Sequence, residues 1–312
     1  FFEDMPSYFL IKNLFITNSY VFILGVIAIV FALGAINKRM HAATIYFVIF
    51  TGLFPLFYII YKQSNVYHVW RHVLFIFPSL AIVSAWGLRH ICEVLNERKF
   101  KYGIAVIALL LLEPLYFIVD SFPNTITYYN GFVGGVKGAY GNYELDFYYN
   151  SLKQDAEWFK KNELPKYKKT GTIIIATNAA HLLSKYFKEE KNVKIDYVRF
   201  MERSQKNWDY SIFHITLIPN EEVVAKTWLP NTTLYKAGYK GCVFSAVAKR
   251  PSYDDVRGFE ELKRNEVEPA LQYFDAYIKQ DPNNVSMLMM LANIYHQLNR
   301  DDIAQKYNEQ AN

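Results

Sequence analysis

Hydrophobic and polar positions divide this chain into two halves of different character. Through the first 120 residues, apolar positions run almost unbroken in four stretches: Tyr20–Ile36, Ala42–Tyr61, Val73–Leu88 and Tyr102–Val119. Each approaches the roughly 20 residues needed to cross a hydrocarbon core of about 30 Å, the shorter ones reaching it with their flanks. Four such runs in succession predict a polytopic α-helical membrane region over residues 1–120.

Beyond Asp120 the pattern is that of a water-soluble domain. Residues 121–150 are aromatic and glycine-rich, with five glycines between Gly131 and Gly141, which predicts a loop with tight turns. Leu152, Ala156 and Phe159 fall on one face of a predicted helix, Ser151–Asn162. A buried-strand run follows at Thr170–Thr177, then a helix at Ala179–Lys188, strands at Lys194–Phe200 and Trp208–Thr216, and a closing hairpin of Thr233–Tyr235 with Val243–Ala248. This order predicts a small α/β domain over 121–250 with a partly parallel sheet. It carries neither GxGxxG nor GK[ST], so nucleotide binding has no support.

Residues 251–312 change period again. Gly258 and Ala292 are 34 residues apart, as are Ala270 and Ala304, which is the tetratricopeptide period. Ala270, Phe274 and Pro282 have the A-x3-F…P spacing, and Leu291, Ala292 and Tyr295 fit the first-helix pattern of a second unit. A generic helical hairpin is the alternative. Stable arrays usually need three or more repeats, and the chain opens at Phe1 without Met, so a fragment of a longer protein is expected.

Charge orients the membrane region. The first and third connections carry six basic residues (Lys38, Arg39, Arg89, Arg98, Lys99, Lys101), and the second carries Lys62 and Arg71. The positive-inside rule then places the first and third connections in the cytoplasm, and everything after Asp120 outside. In a diderm bacterium this is an inner-membrane protein with a periplasmic domain. The net charge of +5 over 312 residues gives no reason to propose nucleic acid. Cys92 and Cys242 would lie on opposite sides of the membrane and are read as structural.

The outer connection Tyr61–Pro78, YKQSNVYHVWRHVLFIFP, carries the most suggestive chemistry. Lys62, Arg71 and His72 sit at the outer interface, ahead of a helix that Pro78 is expected to kink. Such cations can hold a lipid phosphate, arginine by bidentate hydrogen bonds. Spacing alone favours the plainer reading, in which Arg71 snorkels to headgroups and Trp70 anchors the helix. Glu113, inside the fourth run beside Pro114, is a functional candidate because intramembrane carboxylates are costly. Its alternatives are pairing with a polar group from another helix or simply accompanying a proline kink. Glu3 and Asp4 are a weaker metal or base candidate, since adjacent loop carboxylates are usually solvated. The sequons at Asn231 and Asn284 matter only in a host that glycosylates. No metal cluster or Ser-His-Asp constellation is legible.

The segments WRHVLFIFP, PNTITYYNGFVGG and GAYGNYELDFYYNSL resemble the C-terminal half of C-type membrane glycosyltransferases, such as the protein O-mannosyltransferases and the lipid A aminoarabinose transferase. The opening PSYFLIKNL is similar to that family's approach to a span. The resemblance covers roughly residues 1–250. One departure is His68-Val69, where the family pattern would read Asp-Gly. The resemblance implies transfer of a sugar from a polyprenyl-phosphate carrier to an acceptor on the outer side of the membrane. It also implies that Arg71, with Lys62 and His72, meets the lipid phosphate, which reverses the plainer reading. The catalytic base belongs to a first outer loop expected upstream of Phe1. Implied partners are the lipid-linked sugar, membrane lipids and a protein bound through the repeats; a divalent cation is left open as cofactor. Two other classes remain in play: a non-catalytic membrane-anchored scaffold, and a subunit of a lipid-linked sugar transporter. A transporter should carry polar groups near the bilayer midplane, and here Glu113 stands almost alone.

Overall fold

The computed structural model describes residues 6–36, 42–64, 66, 69–95, 97–167 and 171–311. Glu3, Asp4, Lys38, Arg39 and His68 lie outside the described residues. The chain forms two compact units that divide between Ala139 and Tyr140, within the glycine-rich passage.

The first unit is helical: α1 (Phe9–Ile16), α2 (Tyr20–Ile36), α3 (Ala42–Tyr61), α4 (Val69–Val73), α5 (Phe77–Val94), α6 (Glu97–Ser121) and α7 (Gly135–Ala139). Three stretches are long and apolar enough to cross a membrane: Ala42–Tyr61, Arg71–Val94 and Phe100–Ser121. The apolar helix Tyr20–Gly34 is shorter. Even the full 17 residues of α2 rise only about 26 Å, less than a typical hydrocarbon core. Three spans are therefore supported by length and composition, and the expected fourth is not established.

The third apolar run differs from expectation in its opening. A 3-10 turn, Leu74–Ile76, joins α4 to α5, and Pro78 lies in the first turn of α5. There its missing N–H has no carbonyl partner to lose, so Pro78 starts the helix rather than kinking it.

Small residues bring α2 and α5 together. A Cβ on Gly87 would strike the carbonyl of Gly25, and one on Gly25 would strike Ser84. Ser84 Oγ donates to the Phe22 carbonyl at 3.0 Å. On the other side of α5, the hydroxyls of Ser79 and Thr51 lie 3.0 Å apart. Backbone contact and interhelical hydroxyl bonds hold helices where lipid removes the hydrophobic driving force between them.

The second unit holds α8 (Ser151–Asn162), β1 (Ile173–Thr177), α9 (Ala180–Tyr186), β2 (Val193–Tyr197), β3 (Tyr210–His214), α10 (Asn220–Ala225), β4 (Thr233–Tyr239) and β5 (Cys242–Lys249). Two helical hairpins follow, α11 (Asp254–Lys263) with α12 (Val267–Gln280), and α13 (Val285–Gln297) with α14 (Asp301–Ala311). The sheet order is β2-β1-β3-β5-β4. β1 runs parallel to β2 and β3, and β5 is antiparallel to β3 and β4. This is the partly parallel sheet the strand pattern predicts. Leu152, Ala156 and Phe159 of α8 pack on Ile173, Ile175, Ile212 and Val247 of the sheet, all buried. The three-residue face read from the sequence is thus the face that meets the sheet.

A buried ion pair joins the first hairpin to the end of β5, and Asn284 Nδ2 of the second donates to Ser204 Oγ at 3.2 Å. Arg250 Nη2 donates to both carboxylate oxygens of Asp255 at 2.6 Å, and its guanidinium lies 4.4 Å over the Trp208 ring. Burial raises Asp255 to about 6, against the opposing pull of Arg250. Cys92 and Cys242 are buried free thiols.

Candidate functional site

In the first unit, the connection between α3 and α5 is pinned by its apolar residues. Val66, Val73 and Ile76 are buried in a cluster with Leu10, Leu56 and Leu80. With Val73 turned inward, α4 leaves Arg71 and His72 exposed. Lys62, just past α3, is also exposed, its ammonium 5.7 Å from the Tyr61 ring centroid. All three cations proposed for phosphate binding thus belong to one connection and reach its surface.

Beside this connection lies an apolar groove of about 240 Å³ between α1, α2, α3 and α5. Ile11, Phe22, Ile27, Leu53, Phe57 and Ile60 line it, and among the described residues no charged side chain does. Ile60 stands two residues before Lys62, so the groove reaches the helix end that carries a cation.

Glu113 is placed differently. Its two carboxylate oxygens accept from the Tyr128 hydroxyl at 2.9 and 2.8 Å. The partner comes from the segment after α6, which turns back along the helix, rather than from another span. Burial, reinforced by the Glu113 hydrogen bond, pushes the Tyr128 phenol up, which keeps it a donor. Glu113 is thus paired, but with Tyr128 of the returning segment rather than with another helix.

The same returning segment is clamped by Asn130, fully buried. Its amide nitrogen Nδ2 donates to the carbonyls of Phe15 and Asn18 at 2.7 and 2.9 Å, and its backbone N–H donates to Ile16 at 2.9 Å. One asparagine thus satisfies carbonyls that the end of α1 leaves open. Phe132 stacks on Phe15 with centroids 4.9 Å apart. The tight turns expected in the glycine passage are present, with Gly134 and Gly135 at φ +81° and +62°.

The second unit contains a site of its own at the carboxyl end of β3. Open α/β sheets bind ligands outside the carboxyl ends of their strands where the connections diverge, here between β1 and β3. Asn178 fills that crevice: its Nδ2 donates to the carbonyls of His214 and Thr216, each at 2.7 Å, and its Oδ1 accepts the His214 N–H at 3.0 Å. A groove of about 270 Å³ opens alongside, between residues 141–145 and 215–218, with Asn220 and Val223 of α10 closing one side.

A buried Asp–His pair ties the two walls of this groove together. His214 Nδ1 accepts the Thr216 N–H at 3.1 Å, which leaves the ring proton on Nε2, 3.3 Å from Asp146 Oδ2. Asp146 also accepts the backbone N–H groups of Asn150 and Ser151, both at 2.9 Å. Asp146 and His214 are fully buried. Near them lies a second buried carboxyl, Asp155, whose oxygens have no hydrogen-bond partner among the described residues. Burial pushes Asp155 well up; the facing Ser245 hydroxyl opposes this without reaching hydrogen-bond geometry, and the charge of Asp146 adds to it.

Backbone strain gathers at the same place. Asp146 and Leu217 have φ of +51° and +68°, conformations that cost an L-residue with a side chain of order 1 kcal/mol or more and persist where the surroundings impose them. Gly141, at φ +77°, sits where a Cβ would strike the Val224 side chain.

Sequence reasoning missed Asp146, His214, Asn178 and Asn130. The first two are 68 residues apart, so only the sheet brings them together. Asn130 lay within a quoted motif, yet its partners are more than 110 residues away. Among the described residues no group of three metal-ligating side chains occurs. No protein-family model, curated protein or solved structure matches this chain.

Proposed function

We propose that this chain is the C-terminal part of an integral membrane glycosyltransferase that moves a sugar from a polyprenyl-phosphate carrier to an acceptor on the outer side of the membrane. One observation supports it above the rest: a groove in the helical unit, apolar in its described lining, reaches Ile60, beside a connection that exposes Lys62, Arg71 and His72. An isoprenoid tail needs the first feature and a phosphate the second. In the reaction, an acceptor hydroxyl loses its proton to a general base and attacks the anomeric carbon. The bond from that carbon to the phosphate oxygen breaks, and Arg71 with Lys62 and His72 stabilises the phosphate that leaves. The base belongs to an outer loop upstream of this chain. Glu113, engaged by Tyr128, is assigned a structural role. The connection carrying Arg71 and the second unit are placed in the periplasm of a bacterial inner-membrane protein.

Within this reading α11–α14 are tetratricopeptide-like and engage a protein partner. The support is packing: Gly258, Ala292, Ala270 and Ala304, the pairs at 34-residue spacing, are all buried. Buried small residues at equivalent positions are what closely paired helices need.

The test is Arg71→Ala in the protein in its native membrane, with transfer of labelled sugar from the lipid carrier as readout. Loss of a bidentate phosphate contact should cut transfer by at least about 100-fold at normal expression. Unchanged transfer contradicts the proposed role.

A further inference from the structure

We infer that the groove at the carboxyl end of β3 is a binding site for a neutral, polyhydroxylated ring, a single pyranose unit of a glycan. Its size sets the scale: about 270 Å³ is just below the ~300 Å³ at which sites for drug-sized ligands begin. Its charge excludes the commonest alternatives. Among the described residues no lysine, arginine or histidine lines it and Glu144 does, so a phosphate or carboxylate ligand would meet repulsion and no counter-charge from them. A cation would find one carboxylate.

The remaining chemistry is amphipathic in the manner of a sugar. Asn142 and Asn220 bring amide groups that both donate and accept, as ring hydroxyls do. Tyr143 supplies a ring with an apolar face and a polar tip, and Leu217 and Val223 supply surface for ring C–H groups. The walls are pre-set, because the Asp146–His214–Thr216 chain of hydrogen bonds joins them. Rigid walls lower the ordering cost of binding a small, weakly held ring.

Naming this groove the acceptor subsite rests on the transfer reading above; its capacity to bind a sugar ring does not. The experiment is saturation-transfer difference NMR on the full chain in lauryldimethylamine oxide micelles, a detergent without sugar. The probes are the methyl pyranosides of glucose, galactose, mannose and N-acetylglucosamine. Transfer to the ring protons of at least one glycoside is expected. Tyr143→Ala and Asn220→Ala should each weaken it about tenfold, with Tyr197→Ala, on β2, as unaffected control. Should Tyr143→Ala fail to fold, Asn220→Ala, at an exposed position on the groove, carries the test alone. No transfer to any glycoside, transfer that survives in the folded groove variants, or binding of an N-acetylated dipeptide amide in place of the sugars overturns the inference. Sugar binding by this chain, with no transferase activity in the intact protein that includes the upstream outer loop, would instead sink the proposed function and leave the groove standing.

Discussion

At the scale of single residues, Asp155 has the least ordinary environment in the second unit. It is fully buried, its oxygens lack hydrogen-bond partners among the described residues, and its nearest charged neighbour is another carboxylate. Its folded value lies above the value in the unfolded chain, so the folded form keeps a proton that the unfolded form releases. Stability from this group is present below the ordinary carboxylate range and lost as pH rises through the folded value. Asp155→Asn removes the linkage. Thermal melts of the variant and wild type should coincide near pH 4 and separate by pH 8, with the variant more stable. Identical pH profiles would show that Asp155 is not held protonated. None of this is visible in the sequence, where Asp155 reads as one more polar position on α8. Likewise His214 ends the buried strand Tyr210–His214, and the sequence does not show that Asp146, at φ +51°, meets it.

At the scale of elements, the joint between the sheet and the first helical hairpin rests on Arg250 and Asp255, whose side chains are 2% and 0% exposed. Desolvation outweighs attraction at Asp255, which is why it titrates high. Removing one partner strands the other's charge, whereas removing both relieves the desolvation. Arg250→Met should cost about 3–5 kcal/mol in urea unfolding followed by tryptophan fluorescence, Trp208 lying beneath the guanidinium. The double replacement with Asp255→Leu should recover most of that. A single variant within about 0.5 kcal/mol of wild type would mean the joint is held otherwise. Element-level reading from the sequence worked where periodicity was strong. The run Ser151–Asn162 is α8 and Ala42–Tyr61 is α3, because an apolar stripe or an unbroken apolar run leaves one way to bury. It failed for α1, α10 and α4, which have 8, 6 and 5 residues. Such short helices owe their existence to tertiary anchors, such as Asn130 for α1 and Val73 for α4. Pro78 shows the same limit: its residue type signals a discontinuity, and only the structure tells an opening from a kink.

At the scale of the molecule, the chain pairs a helical unit, three of whose stretches can cross a membrane, with a sheet domain carrying a polar groove and two helical hairpins. The change in apolar content at Asp120 signals two parts, but the compact units divide between Ala139 and Tyr140, so residues 121–139 belong with the helices rather than with the sheet domain in which the sequence reading put them. The candidate cations were legible as well, since Arg71 and His72 precede an apolar run. The grooves were not, because each is lined by residues from several elements. The central claim is that the molecule handles a lipid-linked sugar. Its most direct test is to reconstitute the intact protein, upstream outer loop included, in liposomes containing a labelled polyprenyl-phosphate sugar together with an acceptor-bearing membrane extract, and follow lipid and label by chromatography. The account predicts that the label passes from the carrier to an acceptor while free polyprenyl phosphate accumulates in equal amount, and that Arg71→Ala prevents both. A carrier that stays intact, in a preparation whose hairpins still capture a protein partner, would contradict it and leave a membrane-anchored scaffold.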